Sequence, residues 1–560
     1  MISFVSGSGY IEKFAMDGMR RSLVDEFTSI HVVNLRGDIR KNMLSKGRAK
    51  EGGNVFDSGS MTGIAITVLV KNQSSSLSGN KIIYHDIGDD LSSREKRDLL
   101  RSYSSINGIP TSRLCKVTPD QHGDWLNQRD DSANNFLPLG AKKGEKTVRL
   151  FETFSYGVNT ARDAWCYQYS RSLLAKNIQK TIDFYTAEVD RFAQACKDLP
   201  EMERPELEKF IDTDPQKISW GVNLKQGILK GKSIQYNGEY IVQSSYRPYT
   251  KQWLYFNRQL NHSLYQIPSL FPQSTARNLL ICISGIGARS GFSALVVNTP
   301  PNFHALDTGQ CFPMYIYETA EDEGEIELES TGDLFAAKKT KPSTGNGHYA
   351  RKDAITDEGL KHFQDAYPSE KISKEDLFYY VYGLLHSPDY RERYADNLSK
   401  ELPRIPAVKT AKDFWYFSKA GRDLADLHLN YETVTPYSVK IEIAGKTALT
   451  DDDYRVEKMK YGKNGKDKDL TTMHYNNRIT LTGIPLEAYD YVVNGKPALD
   501  WVVERQCVKT DKDSGIVNDA NDWAIETMHN PKYPLELFMR VITVSLETMK
   551  IVNGLPKLDI

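Results

Sequence analysis

The sequence predicts an α/β segment followed by a mixed α+β segment, on three observations. The first hundred residues alternate apolar strands with helical patterns. After about residue 155 that alternation gives way to long helical stretches and Asn-Gly turns. The 560 residues are 40% hydrophobic and 26% charged, which is a globular composition with core enough for two to four domains.

The opening, "MISFVSGSGYIEKFAMDGMRRSLVDEF", places Ile2, Phe4 and Val5 in a short apolar run that ends at Gly7-Ser8-Gly9. Met19, Leu23, Val24 and Phe27 then fall at helical spacing. "IHVVNLRGD" supplies a strand at 30–35, and the polar loop "KNMLSKGRAKEGGN" follows it. Further strands are expected at 64–70 and 81–87, and a charged helix at 92–103. Strands alternating with helices predict a mostly parallel, layered sheet. A strand of this kind normally sits between neighbours, so the opening strand reads as a break within a sheet.

From residue 155 the texture changes. Residues 170–198 read as helix, and "YNGEY" at Tyr236–Tyr240 predicts an Asn-Gly hairpin between alternating strands. β-rich segments run to about 318. "EDEGEIELES" and "KKTKPSTGNGHYARK" then read as a surface excursion or lobe boundary. "SKED" at 373–376 matches a capping box, after which Leu377, Tyr380, Val381 and Leu384 share a helical face. Pro388 ends that helix, and a second runs to about Lys400. Strands return after "DFWYFSKAGRDLADLHLNYE", with turns at Asn464-Gly465 and Asn494-Gly495. There is no internal repeat. The apolar run from Leu535 to Val552 carries Glu536, Arg540, Glu547 and Lys550 and is bracketed by Pro534 and Gly554. It is a capped amphipathic helix and not a membrane span.

A formal net charge of −1 gives no global pull toward nucleic acid, so any such surface must be a local patch. The six cysteines lack C-x-x-C spacing, which suits free thiols in a reducing, cytoplasmic compartment. No His pair has metal-ligand spacing, and Lys13 and Asp17 interrupt the first apolar stretch too early for a signal peptide.

Several strings invite a chemical reading. "SGIGARSG" at Ser284–Gly291 has G-x-G-x-x-x-G spacing with no helix after it, and reads as a turn joining strands. "NTPPNF" at Asn298–Phe303 resembles the loop of amino-methyltransferases acting on DNA, but Thr299 interrupts it and its position is wrong, so it reads as a Pro-rich turn. "SYRPYTKQWLYFNR" interleaves aromatics with Arg247 and Lys251, which suits either a phosphate-gripping surface or a strand with aromatics on both faces. "FSYGVNTARDAWCYQYS" sets Asn159, Thr160, Arg162 and Asp163 in a polar turn that either faces DNA or is closed by an ion pair. The Lys-rich "EKMKYGKNGKDKD" is a solvated loop of a kind that also contacts phosphates. No nucleophile elbow, P-loop, zincin motif or Cys/His dyad is present.

Read in order, "GMRRSLVDEFTSIHVVNLRGD", "GDWLNQR", "GVNTARDAW", "YRPYTKQWLYF", "GQCFPMYIY", "LFYYVYGLLHSPDYRERYADNLSKELPRIP", "GIPLEAYDYVVNGKPALDWVVERQ" and "DKDSGIVNDANDW" resemble the C-terminal third of the type ISP restriction-modification enzymes, over nearly the whole chain. In that family a nuclease and a helicase-like motor precede an adenine-N6 DNA methyltransferase, and a target-recognition domain comes last. The resemblance implies an incomplete Rossmann-like methyltransferase sheet at 1–150. The two lobes of a mixed α+β DNA target-recognition domain would follow at 151–345 and 346–560. The S-adenosylmethionine motif and N-P-P-Y loop belong upstream of "ISFVSGSGYI", so the complete enzyme uses S-adenosylmethionine while this chain is expected to hold no cofactor. Ser6 and Ser8 would line the rear of the catalytic cleft.

The expected function is therefore DNA sequence recognition within a restriction-modification system. The partners are double-stranded DNA and an N-terminal nuclease/helicase/methyltransferase chain. Asn159, Arg162, Arg247 and Lys251 are the candidate DNA-facing residues, and no catalytic, cofactor or metal residue is assigned. Two alternatives stand beside it: a methyltransferase completed in trans by a separate N-terminal chain, and a gene remnant without function.

Overall fold

The computed structural model describes residues 1–39, 50–72, 81–141, 144–319, 349–445 and 448–560. The acidic stretch after Thr319 and much of the first polar loop lie outside the described residues. The chain divides into two compact units. One comprises 1–134 with 286–291 and 392–403, the other 135–285 with 292–391 and 404–560.

The first unit is built on five strands: β1 (Ile2–Gly7), β2 (Ser29–Asn34), β3 (Ile64–Val70), β4 (Lys81–Asp86) and β5 (Cys115–Val117), in spatial order β1-β3-β2-β4-β5. The expected mostly parallel sheet is not what forms. Only β2 and β4 pair in parallel, while β3 runs antiparallel to both β1 and β2, and β5 antiparallel to β4. The reason is one inserted strand. Helix Asp17–Glu26 carries the chain from β1 to a co-directional β2. After β2 the chain re-enters the sheet reversed as β3, in the slot between β1 and β2, where it hydrogen-bonds to both. Alternation along β2 still buries Ile30 and Val32 on one face with Tyr10, Phe27 and Trp125. Val33 packs on the other face with Ile64 and Tyr103, so the sheet is covered on both sides. Ser92 caps helix Ser93–Tyr103 through the reciprocal bonds of a capping box with Glu95.

Beneath helix Asp17–Glu26 lies a buried ionic centre made by the "GDWLNQR" string. Asp124 (1% exposed) receives Arg20 (0%) at 2.5 Å and Lys400 (3%) at 2.9 Å, with Arg129 at 3.7 Å. Arg20 also donates to the carbonyls of Gly123, Tyr10 and Lys13, which pins three segments to one point.

The second unit mixes small antiparallel sheets with long helices. The order of its main four-stranded sheet is Ala294–Val297, Leu280–Ile283, Gln310–Pro313, Ser155–Tyr156, and all four strands are largely buried. The turn Ser284–Gly291 joins two antiparallel neighbours of this sheet, as its spacing predicts. The Asn-Gly hairpin at "YNGEY" does not form. The residues from the end of helix Val222–Leu229 to Tyr236 form no strand, and Asn237 instead accepts the Glu239 N–H to cap a single 3-10 turn at Gly238–Tyr240. Strand Ile241–Arg247 pairs forward with Thr250–Tyr255.

Helix Lys374–Leu384 starts at the predicted capping box of Ser373 and Asp376, and its four predicted apolar residues are all buried. It crosses helix Ala411–Leu429 at Gly383 and Gly421. A Cβ on either would strike a carbonyl of the other helix, at Phe417 and Tyr379, so the two backbones touch there. Next to this crossing His428 shares hydrogen bonds with Tyr382 and Thr548, and His386 bonds the Tyr382 carbonyl. The last helix, Tyr533–Asn553, has Pro534 in its first turn and Gly554 at its end, as expected. No helix of the described residues is long and apolar enough to cross a membrane.

Candidate nucleic-acid interface

The hairpin Ile241–Arg247/Thr250–Tyr255 carries Arg247 and Lys251. Its aromatics pack on both faces, Tyr246 against Tyr167, Trp253 against Trp523 and Tyr255 against Tyr236 and Tyr240, which makes it a stiff base. Arg247 NH1 donates to Asn302 Oδ1 at 2.8 Å and to the Tyr246 carbonyl at 2.6 Å. NH2 lies 3.8 Å from Asp163 Oδ2, and the guanidinium sits 4.0 Å above the Tyr246 ring. Nε and NH2 make no hydrogen bond among the described residues, and the side chain keeps 13% of its exposure, so part of the fork still faces outward.

Lys251 is differently placed. Its Nζ is 2.6 Å from Glu432 Oε2, and the other Glu432 oxygen accepts from Tyr533 at 2.6 Å, in a largely buried setting. Its charge is therefore neutralised within the chain.

Asn159 and Arg162 belong to the turn at 159–163. Asn159 Oδ1 accepts the N–H of Ala161, which sits at φ 54°, and the Asn159 backbone bridges Ser263 in both directions. Its side-chain NH2 makes no hydrogen bond among the described residues. Arg162 is 4% exposed and donates to the carbonyls of Ser219 and Leu260 and to Asn223 Oδ1, so it grips the turn from beneath. Burial lowers its pKa. Thr160 bonds Asp163, fixing the carboxylate that approaches Arg247.

"NTPPNF" joins these two segments. The Pro300 carbonyl accepts the Ser245 N–H and the Pro301 carbonyl that of Val158, and Asn302 and Phe303 donate back to Ser245 and Val158. Gly157 is required where this loop passes, since a Cβ there would lie 2.5 Å from the Asn302 carbonyl. Asn302 then uses both ends of its amide: Oδ1 holds Arg247 and Nδ2 reaches Asp163 Oδ2 at 3.3 Å. Beside it Phe303 stacks on Tyr265 at 19° and 6.3 Å, with Tyr156 5.2 Å from Tyr265. His304, edge-on to Phe303, is held below its ordinary pKa by partial burial and by Arg247, against the pull of Asp163 and Asp307. Ala161, Tyr249, Tyr265 and Thr308 all have φ between 48° and 54°, so these loops are held in uncommon conformations.

Three strings far apart in sequence thus meet at Asp163, Arg247 and Asn302. The arrangement offers oriented donors and flat rings but no activated nucleophile, and burial pushes the nearby Cys166 thiol up to about 12. Of the four candidates, Arg247 joins this node directly, Asn159 and Arg162 belong to the turn that supplies Asp163, and Lys251 is paired elsewhere. Asn302 stood in a string that reads as a plain turn. No local signal marks Glu432, 181 residues from Lys251.

A model of the Type ISP C-terminal specificity domain matches residues 149–537. No curated protein matches the chain. Among solved structures, a nuclease-deletion mutant of the Type ISP restriction-modification enzyme LlaGI, in complex with a DNA substrate mimic, is 37% identical with a TM-score of 0.81, and the match covers 100% of this chain and 46% of that one. The ATP-dependent Type ISP enzyme LlaBIII bound to DNA is 34% identical, TM-score 0.81, covering 100% and 33%. A DrdV–DNA complex is 29% identical, TM-score 0.79, covering 100% and 50%. The chain therefore spans half or less of the length of these structures.

Proposed function

Because the chain belongs to the family of Type ISP C-terminal specificity domains, we propose that residues 151–560 recognise a double-stranded DNA sequence for a restriction-modification system. The two lobes at 151–345 and 346–560 would form the recognition domain. The observation that carries this reading is the partly exposed node of Arg247, Asn302 and Asp163, which fixes a guanidinium with donors to spare on a rigid hairpin. Such a fork suits guanine edges or phosphates. DNA bound to LlaGI, LlaBIII and DrdV supports the same reading. Arg247 and Asn159 face the DNA in this account, Arg162 holds the turn in place, and Lys251 contributes less because Glu432 already pairs it.

Residues 1–150 are, in the same proposal, the C-terminal half of an adenine-N6 methyltransferase sheet. The layered sheet with co-directional β1, β2 and β4 supports it. S-adenosylmethionine would serve the complete enzyme. The glycine turn of this chain at Ser284–Gly291 does not suit it, since it links antiparallel strands and opens no helix. A second reading, a methyltransferase completed in trans by an N-terminal chain, draws support from β1. Among the described residues this edge strand pairs only with β3, and it leaves Ile2 54% and Val5 53% exposed.

Duplex binding by the full chain, measured by fluorescence anisotropy beside thermal melting, tests the recognition role. Arg247→Ala should weaken DNA binding per folded molecule, by about 1–3 kcal/mol at one position if it reads a base. Lys251→Ala should chiefly lower the melting temperature. Unchanged affinity in folded Arg247→Ala would remove Arg247 from the interface. Failure of the wild-type chain to bind duplex DNA at low salt would end the recognition reading.

A further inference from the structure

Outside this node, uncompensated positive charge gathers at a hairpin tip. Strands Lys460–Asn464 and Asp467–His474 turn at Gly465-Lys466, with Gly465 at φ 62°. Between 458 and 468 stand Lys458, Lys460, Lys463, Lys466 and Lys468, against the single carboxylate of Asp467. All five lysines are exposed, and none forms an ion pair among the described residues. Neighbouring acids are already engaged, Glu457 by Arg455 and Asp469 by Thr471.

The pairing register sharpens the point. Lys463 and Lys468 are direct cross-strand partners, and Lys460 faces His474. Like charges directly opposite on a sheet are destabilising. Lys468 finds only the Tyr461 ring, 5.5 Å away. The hairpin is nevertheless firmly anchored. Tyr461 donates to Asp500 at 2.6 Å, Tyr489 donates to the Leu470 carbonyl at 2.8 Å, and Met473 and Leu481 are buried beneath. Its base is tied toward the Asn302 loop: Trp501, next to Asp500, donates to the Val493 carbonyl, and Asn494 Oδ1 accepts from the Asp307 N–H. A repelling pair of lysines on a rigid stem is a surface suited to an anion.

We propose that the tip formed by Lys463, Lys466 and Lys468 grips the phosphate backbone of duplex DNA beside the sequence being read. The proposal rests on the recognition role proposed above. Lysine meets phosphate as a point charge and carries no base information, so this contact supplies affinity and register while the Arg247 node supplies selectivity.

The test is the full chain carrying Lys463→Gln, Lys466→Gln and Lys468→Gln together, with binding to a cognate duplex, the one the wild-type chain enriches from a random pool, and to an unrelated duplex followed as salt is varied. Removing a lysine that neutralises one phosphate should lower the log–log salt slope by about 0.9, which at 0.1 M salt is about an eightfold weaker affinity per lysine. Both duplexes should weaken alike, and the melting temperature should hold or rise because the repulsion is gone. If the wild-type chain binds DNA and the triple variant keeps its affinity and slope, the phosphate grip is wrong while the recognition role stands. Weakening on the cognate duplex alone would also overturn it, since the lysines would then be reading bases. If the wild-type chain binds no DNA, the recognition role and the grip fall together.

Discussion

Asp124→Asn perturbs the buried ionic centre of the first unit. The wild-type carboxylate neutralises Arg20 at 2.5 Å and Lys400 at 2.9 Å, and neither cation has meaningful access to water. The amide keeps the shape and one acceptor but leaves buried positive charge without its counter-ion. Removing one partner of a buried pair costs about 3–5 kcal/mol, far above the roughly 0–1 kcal/mol of a surface pair such as Lys361–Asp365. Two units need not unfold together, so a melting temperature does not isolate the first unit. Hydrogen exchange of β2 to β4 reports the first unit alone. The opening free energy of those amides should fall by several kcal/mol, with amides of helix Ala411–Leu429 unchanged. Combining Asp124→Asn with Lys400→Met should show coupling of about 0.5–3 kcal/mol, because the second change removes one stranded charge. A loss below about 1 kcal/mol, or strict additivity, would refute the buried-centre reasoning.

The second unit should weaken in mild acid. Burial holds His428 down to about 3 and His386 well below its ordinary value, and Arg391 depresses both further, so both are neutral in the fold. In the unfolded chain they protonate below about pH 6.5. Their contribution is therefore fully present above that pH and is lost as pH falls toward 3, at about 1.4 kcal/mol per pH unit for each. Denaturant unfolding at about pH 7.5 and 5.5 should differ by about 2–3 kcal/mol, and equal stability would contradict neutral burial. Gly383→Ala should separate helices Lys374–Leu384 and Ala411–Leu429, for a loss of about 1–3 kcal/mol or more, while Gly18→Ala in helix Asp17–Glu26, where an added Cβ meets nothing within 4 Å, serves as a comparison with open space. A neutral Gly383→Ala would mean the helices do not touch there.

Most elements were legible wherever one local signal decided the outcome. The strand at Ile64–Val70 and the helix at Ser93–Tyr103 follow from periodicity and a cap, and Ser373 with Asp376 starts its helix as expected. What failed depended on partners distant in sequence. Nothing in β3 itself says that it runs backwards between β1 and β2; its direction is set by pairing with both of those strands. Asn237-Gly238 has the residues of a hairpin turn but no strand before it. The site was legible by halves. Arg247 stood out by its aromatic company and Asp163 by its turn, but their meeting through Asn302 is a product of folding. Lys251 looked like a free cation because Glu432 is far along the chain.

Sequence recognition is tested most directly by selection from a pool of random duplexes with the full chain. Bound DNA would be recovered at about 50 mM and 200 mM salt, because electrostatic binding alone fades across that range. One short, asymmetric sequence should be enriched, the enrichment should persist at the higher salt, and Arg247→Ala should relax it at a defined position. DNA retained without any enriched sequence, or no DNA retained at the lower salt, would contradict sequence recognition.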